Sequence, residues 1–126
     1  MTKQKIHTGS APQPIGIYSQ AIKTSQTLYL SGQIPLDPQT MEMAAGDFSL
    51  QVKQVLMNMQ AVCEEAGFRL NDIVKLTVYL TDISKISVVN EIMGQFFQEP
   101  YPARTSIQVS ALPKGAEIEI DAIAGR

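Results

Sequence analysis

Arg104 stands in the most unusual context of the chain. Pro100 and Pro102, in E-P-Y-P-A-R, stiffen the approach to it, and it opens a strand whose matching face is otherwise neutral and polar. A guanidinium held in this way suits an anion, because its planar fork pairs with a carboxylate through two parallel hydrogen bonds, which is how small 2-oxo and 2-imino acids are usually held. A surface arginine paired with an acid on a neighbouring strand is the alternative. The candidate acids, Glu117, Glu119 and Asp121, alternate and so project from one side of the last strand. Such rows are ordinarily a solvated or structurally paired face. If the last two strands form a hairpin through Leu112 to Gly115 (L-P-K-G), however, the row lies near the polar face carrying Arg104 and Ser106. A carboxylate near an arginine, but not locked to it, can position or activate a water. Spacing alone does not choose among the three acids.

Other residues carry weaker signals. Tyr18, in G-I-Y-S-Q-A, sits opposite Ile15 and Ile17 in the alternation and could offer a hydrogen bond, although a packing tyrosine is the simpler reading. Gly32 in L-S-G-Q marks either a plain strand end or a bulge where a ligand meets the backbone. Cys63 falls on the apolar stripe of a helix and reads as an inert buried thiol, and the six methionines read as core filler. His7 is the single histidine, and with one cysteine there is no Cys/His cluster for zinc and no Ser-His-Asp or Cys-His nucleophile. No G-x-x-x-x-G-K-[ST] or G-x-G-x-x-G is present to cradle a nucleotide phosphate. Chemistry without metal, nucleotide or other cofactor is therefore expected.

These residues must be positioned by a small set of elements. Thr27 to Gly32 alternates, with Leu28 and Leu30 on one face, and Ile15 to Ile22 begins a similar alternation after an irregular, proline-containing arm over 1–14. From Val52 the apolar residues fall at 52, 55, 56, 59, 62, 63 and 66, the stripe of an amphipathic helix, with Asp47 placed to cap it and Gly67 to end it. Val74, Leu76, Val78 and Leu80 then alternate with Lys75, Thr77, Tyr79 and Thr81. A second helix follows on Ile86, Val89, Met93, Phe96 and Phe97, capped by Asp82 or Ser84 and stopped by Pro100. Strands from Arg104 and from Glu117 complete the order β-β-α-β-α-β-β, with room for a short initial strand. Two striped helices against one sheet give a two-layer α+β fold.

The chain has 126 residues, which predicts one domain over 1–126. Ten basic against twelve acidic residues leave a net charge of −2, which offers no cationic field for a nucleic acid. The first ten residues lack the apolar run of a signal peptide, and no apolar stretch is long enough to span a bilayer. A cytoplasmic protein that touches neither membrane nor nucleic acid is expected. A domain of this size buries only about two thirds of its unfolded surface, so a ligand site is expected in a cleft or between subunits rather than in a hollowed interior.

Five segments, taken together and in order, resemble the RidA/YjgF family: G-I-Y-S-Q-A at 16–21, S-G-Q-I-P at 31–35, Asp72 to Val74 before a strand, Y-P-A-R-T-S at 101–106 and L-P-K-G-A-E-I-E-I at 112–120. The resemblance spans nearly the whole chain. It implies a chorismate-mutase-like fold with a mixed β-sheet and two helices on one face. It also implies a homotrimer with clefts between subunits, and hydrolysis of 2-imino acids to 2-oxo acids and ammonia. By the same resemblance Arg104 takes the substrate carboxylate, Glu119 places a water and moves a proton, and Tyr18 orients the substrate. Ser106, Gly32, Ser31 and Asn90 match positions that line the cleft. The chain departs from many members at Ile17, where they carry proline, and at Ser106, where they carry cysteine; the latter position is implied to act mainly through its backbone N–H. A non-catalytic trimer that binds 2-oxo acids in the same cleft is the alternative from another class. A ribonuclease role, attached to some relatives, fits poorly with a pI of 5.3.

Overall fold

Alternating burial decides the strands. In the computed structural model, which describes residues 2–126, Leu76, Val78 and Leu80 are buried while Lys75, Thr77 and Tyr79 face away from the core. Ile118, Ile120, Ala122 and Ala124 alternate in the same way with Glu119, Asp121 and Ile123. In chain order the elements are β1 (Gln4–Ile6), β2 (Ala21–Thr24), β3 (Thr27–Gln33), α1 (Phe48–Glu65), β4 (Ile73–Leu80), α2 (Ile86–Phe96), β5 (Ala103–Gln108) and β6 (Ile118–Gly125). They form one sheet in the order β1-β2-β3-β6-β4-β5, in which β4 and β5 run parallel and the other neighbours antiparallel. The buried face of the sheet and the apolar stripes of α1 and α2 make one core cluster. The expected two-layer α+β arrangement is the one found. No helix among the described residues is long and apolar enough to cross a membrane.

α1 begins and ends where its caps dictate. Asp47 Oδ1 accepts from the Leu50 N–H at 3.2 Å and from the Ser49 hydroxyl at 2.7 Å. At the other end Gly67 takes φ +81°, the Phe68 N–H donates to the Cys63 carbonyl (2.9 Å), and the Gly67 N–H donates to that of Glu64 (3.1 Å). That pattern closes the helix and turns Phe68 into the core. Lys23 Nζ donates to the Ala66 carbonyl at 3.1 Å and Arg126 to that of Gly67, placing two cations where the helix carbonyls end. Val52, Val55, Leu56, Met59, Val62 and Cys63 are all buried, as the stripe predicts, and burial pushes the Cys63 thiol up to about 12. Asn58 interrupts that stripe for a reason: its amide donates to the Leu36 carbonyl at 3.0 Å and so ties α1 to the loop after β3.

Two expectations are corrected. Ile15 to Ser19 is not strand: the Tyr18 N–H donates back to the Gly16 carbonyl at 3.1 Å, which coils the segment, and the strand begins only at Ala21. The initial strand lies earlier, within the arm, where Ile6 is buried and β1 pairs with β2. The second correction concerns the end of the chain. β5 and β6 do not form a hairpin; β6 inserts between β3 and β4, and β5 lies beside β4 at the edge of the sheet. Apolar content explains the exchange. β6 offers four buried core-facing residues and takes the centre, whereas β5, A-R-T-S-I-Q, buries little and suits an edge. β4-α2-β5 thereby becomes a parallel crossover around a helix.

One buried side chain holds the arm in place. Gln20, 2% exposed, donates through Nε2 to the carbonyls of Thr8, Ala11 and Pro12 (3.0, 3.3 and 2.9 Å), and its Oε1 accepts from the Thr8 N–H at 2.7 Å. Gln20→Leu strands those backbone groups, so we expect it to lower the unfolding free energy by about 2 to 4 kcal/mol, read from the urea midpoint at unchanged m value. The arm should also become sensitive to proteolysis. A variant as stable as the parent would show that water replaces the amide without cost.

Candidate functional site

The site residues expected from the sequence, Ser106 excepted, fall into two separate hollows; Ser106 lines neither. Tyr18, Ser31, Gly32 and Glu119 line the first, a cleft of about 340 Å³ walled by Pro12, Ile15, Ile34 and Leu36. Arg104 and Asn90 line the second, also about 340 Å³, with Met93, Phe97 and Tyr101. The sheet stands between them. Arg104 and Ser106 pair in register with Leu76 and Val78, which face the helices, whereas Glu119 pairs with Tyr79 on the open face. The expected proximity of the acidic row to Arg104 and Ser106 is therefore wrong for a single chain, because it depended on the hairpin that does not form.

In the first hollow the backbone makes room for the carboxylate. β3 carries a bulge between Leu30 and Gln33, and Gly32 lies within it directly beneath Glu119. A Cβ at position 32 would overlap the carboxylate, with the carboxyl carbon only 2.8 Å away, so a side chain there would displace Glu119 from its place over the bulge. Ser31 donates through Oγ to the Ser19 carbonyl at 2.6 Å, and its N–H donates to the Gln20 carbonyl at 3.0 Å. Ser31 thus spends its hydroxyl on holding the loop that carries Tyr18. The Tyr18 oxygen accepts from the Ile15 N–H at 3.2 Å, which leaves its own proton free to be donated into the cleft.

The three acids, indistinguishable by spacing, have three different environments. Glu117 lies just before β6 and is ion-paired with Lys85. Asp121 accepts from the Tyr79 hydroxyl at 2.9 Å. Glu119 makes no ion pair among the described residues, and burial, then the nearby Asp121 charge, pushes its carboxyl above the usual carboxylate range. A half-buried carboxyl of that kind beside an open cleft is suited to exchanging protons.

Arg104 also lacks a carboxylate partner. Its Nη1 lies 3.5 Å from the Met93 sulfur, and the ion pairs among the described residues are Arg69–Asp72 and Lys85–Glu117. The alternative of a surface arginine paired with a neighbouring acid is therefore not what this fold adopts. Ser106, next on the same face, has a buried hydroxyl with no hydrogen-bond partner. Sequence reasoning missed Gln20, Asn58 and Tyr79. Gln20 and Asn58 are single polar residues whose backbone partners are distant in sequence, and Tyr79 gains its importance only from the register that sets it opposite Glu119.

The comparisons with known proteins follow the same outline. A family model described as Endoribonuclease L-PSP matches residues 8–125. A RutC family protein of Pyrococcus horikoshii is 50% identical over 122 residues, 97% of each chain. A crystal structure of RidA from an Antarctic Psychrobacter, 50% identical, superposes with a TM-score of 0.95 over 98% of this chain and 99% of that one. The chain belongs to the RidA/YjgF family. Among its RidA/YjgF relatives a human protein named 2-iminobutanoate/2-iminopropanoate deaminase is 44% identical over 124 residues, covering 98% of this chain and 90% of the relative.

Within this RidA/YjgF chain the orphan hydroxyl of Ser106 makes a direct prediction. A buried donor without a partner costs about 1 to 3 kcal/mol, so Ser106→Ala should leave stability unchanged or raise it by up to about 1 kcal/mol in urea unfolding. A loss above about 1 kcal/mol would mean that the hydroxyl has a structural partner in solution.

Proposed function

We propose that this protein hydrolyses 2-imino acids, such as 2-iminobutanoate and 2-iminopropanoate, to 2-oxo acids and ammonia in clefts shared between subunits of a homotrimer. The observation that carries the reading is the pair of unpartnered charges: Arg104 and Glu119 each line a hollow without a counter-ion, on opposite faces of one sheet. Each hollow by itself offers only one of the two charged groups. Apposition of the Glu119 hollow of one copy with the Arg104 hollow of the next would complete a site, and closed symmetry would repeat it three times. The open face of the sheet, with Tyr29 and Val74 about half exposed, supplies apolar surface for such an assembly. The deaminase name of the human relative supports the same chemistry.

In this mechanism Arg104 grips the carboxylate through its fork and fixes C2 of the iminium against a water. Glu119 accepts a proton from that water as oxygen bonds to C2. It then returns the proton to nitrogen and, as the C–N bond breaks and the oxo group forms, takes the remaining hydroxyl proton, which the departing ammonia carries off as ammonium. Tyr18 donates its free hydroxyl to the bound acid, and the backbones at Gly32 and Ser106 meet the ligand's oxygens. Asn90 lines the Arg104 hollow and so would line the shared cleft. No step requires a metal or an organic cofactor. The ribonuclease activity in the family model's description draws no support from a net charge of −2.

Threonine dehydratase generating 2-iminobutanoate in situ provides the test. The protein should accelerate 2-oxobutanoate release, and Glu119→Gln should abolish most of that acceleration while Glu117→Gln, whose parent residue is ion-paired elsewhere, should not. No acceleration by the parent, with 2-oxobutanoate still bound, would favour a non-catalytic binder. Arg104→Lys keeps the charge but removes the fork. It should cost about 2 to 4 kcal/mol, a roughly 30- to 1,000-fold loss in kcat/KM, with light scattering still reading about 41 kDa, three copies of the 13.8 kDa chain. Near-parental kcat/KM would refute the bidentate clamp, and a stable monomer in the parent would remove the shared cleft.

A further inference from the structure

On the open face, β4 and β6 place Tyr79 opposite Glu119 and Thr77 opposite Asp121. The Tyr79 hydroxyl reaches diagonally across this ladder to donate to Asp121 Oδ2 at 2.9 Å. That bond fixes a carboxylate on the same strand face as Glu119, two residues on, or about 7 Å along the strand. The groups that face Glu119 are Asp121 from its own strand, Tyr79 from β4 and Tyr18 from the loop before β2, while β3 contributes the uncharged Ser31 and Gly32; of the other charges nearby, Glu117, two residues before it, is ion-paired with Lys85, and Lys75 lies on the same face of β4 opposite Ile123, beyond Asp121. Among the described residues no lysine or arginine forms an ion pair with Glu119 or Asp121.

We propose that Asp121, held by the Tyr79 hydroxyl two residues from Glu119 on the same face of β6, is a positioning residue for the deamination: its charge adds to the enclosure of Glu119 in setting how readily that carboxylate takes the proton from water and returns it to nitrogen. The inference rests on the reading of Glu119 as the proton-transfer group. Glu119 must be basic enough to take a proton from the attacking water, yet ionised at working pH. Burial raises the affinity of its carboxyl for the proton, and a like charge on the same face raises it further. Tyr79 is suited to the anchor, since its hydrogen bond to Asp121 pushes its own ionisation up and keeps it a donor. The Arg104 of a second copy would act in the opposite sense, so Asp121 also keeps Glu119 from becoming too weak a base beside that cation.

The test separates this proposal from the activity itself. With 13C-labelled glutamate, the Glu119 Cδ resonance, identified by its absence in Glu119→Gln, is followed against pH in the parent, Asp121→Asn and Asp121→Glu. Removing the charge relieves the penalty on the ionised form, so the Glu119 midpoint should move to lower pH in Asp121→Asn and return towards the parental value in Asp121→Glu. The acid limb of kcat/KM, measured with the dehydratase in excess at each pH, should move in the same direction. An Asn variant with an unmoved midpoint overturns the proposal, as does a moved midpoint with a fixed rate profile. A parent without deaminase activity overturns the functional reading instead, and the resonance still decides whether Asp121 governs Glu119.

Discussion

β6 bonds to β3 on one side and to β4 on the other, and the rest of the molecule is arranged around that double pairing. Ile118, Ile120 and Ala124 are fully buried, and each isoleucine removed from water contributes on the order of 2 to 3 kcal/mol towards holding the strand at the centre. From there the register dictates the chemistry on the opposite face. Glu119 comes to lie over the bulge of β3, where Gly32 has no side chain to obstruct it, and beside Tyr79 of β4. The same insertion leaves β5 at the edge, where Arg104 meets α2 instead of the acids.

Chemical role here follows environment more than residue type. Three acids within five residues differ only in what they meet: Glu117 a lysine ammonium, Asp121 a phenol, and Glu119 a half-enclosed cleft with no compensating cation. An ion pair or a donated hydrogen bond stabilises the ionised form and commits it. Glu119, uncommitted, remains available to a ligand. The same distinction separates Arg104 from Arg126, which donates to the Gly67 carbonyl.

Much of this was legible from residue order. The α1 stripe, its Asp47 and Gly67 ends and the alternation of β4 and β6 follow from short-range periodicity, and each was found where the pattern put it. The strand order was not legible, because pairing is set by competition among distant strands for the centre of the sheet. Ile15 to Ser19 shows another limit, since its apolar alternation is real but a local backbone hydrogen bond at Gly16 and Tyr18 prevails over it. At the site, residue types alone nominated Arg104 and the acidic row, and the family resemblance singled out Glu119. Their separation by the sheet became visible only once β6 was in place.

In the shared cleft proposed above, that separation would have a genetic corollary. Where a cleft draws its arginine from one copy and its glutamate from another, the unit of inheritance and the unit of catalysis differ. A gene damaged at Arg104 and a second gene damaged at Glu119 would each specify an inert protein. Expressed in one cell, their products could assemble together, and a subunit that kept its arginine beside one that kept its glutamate would restore a complete cleft. Two defective alleles would then complement one another within a single mixed oligomer, a dominance relation that originates in which face of one sheet each side chain occupies.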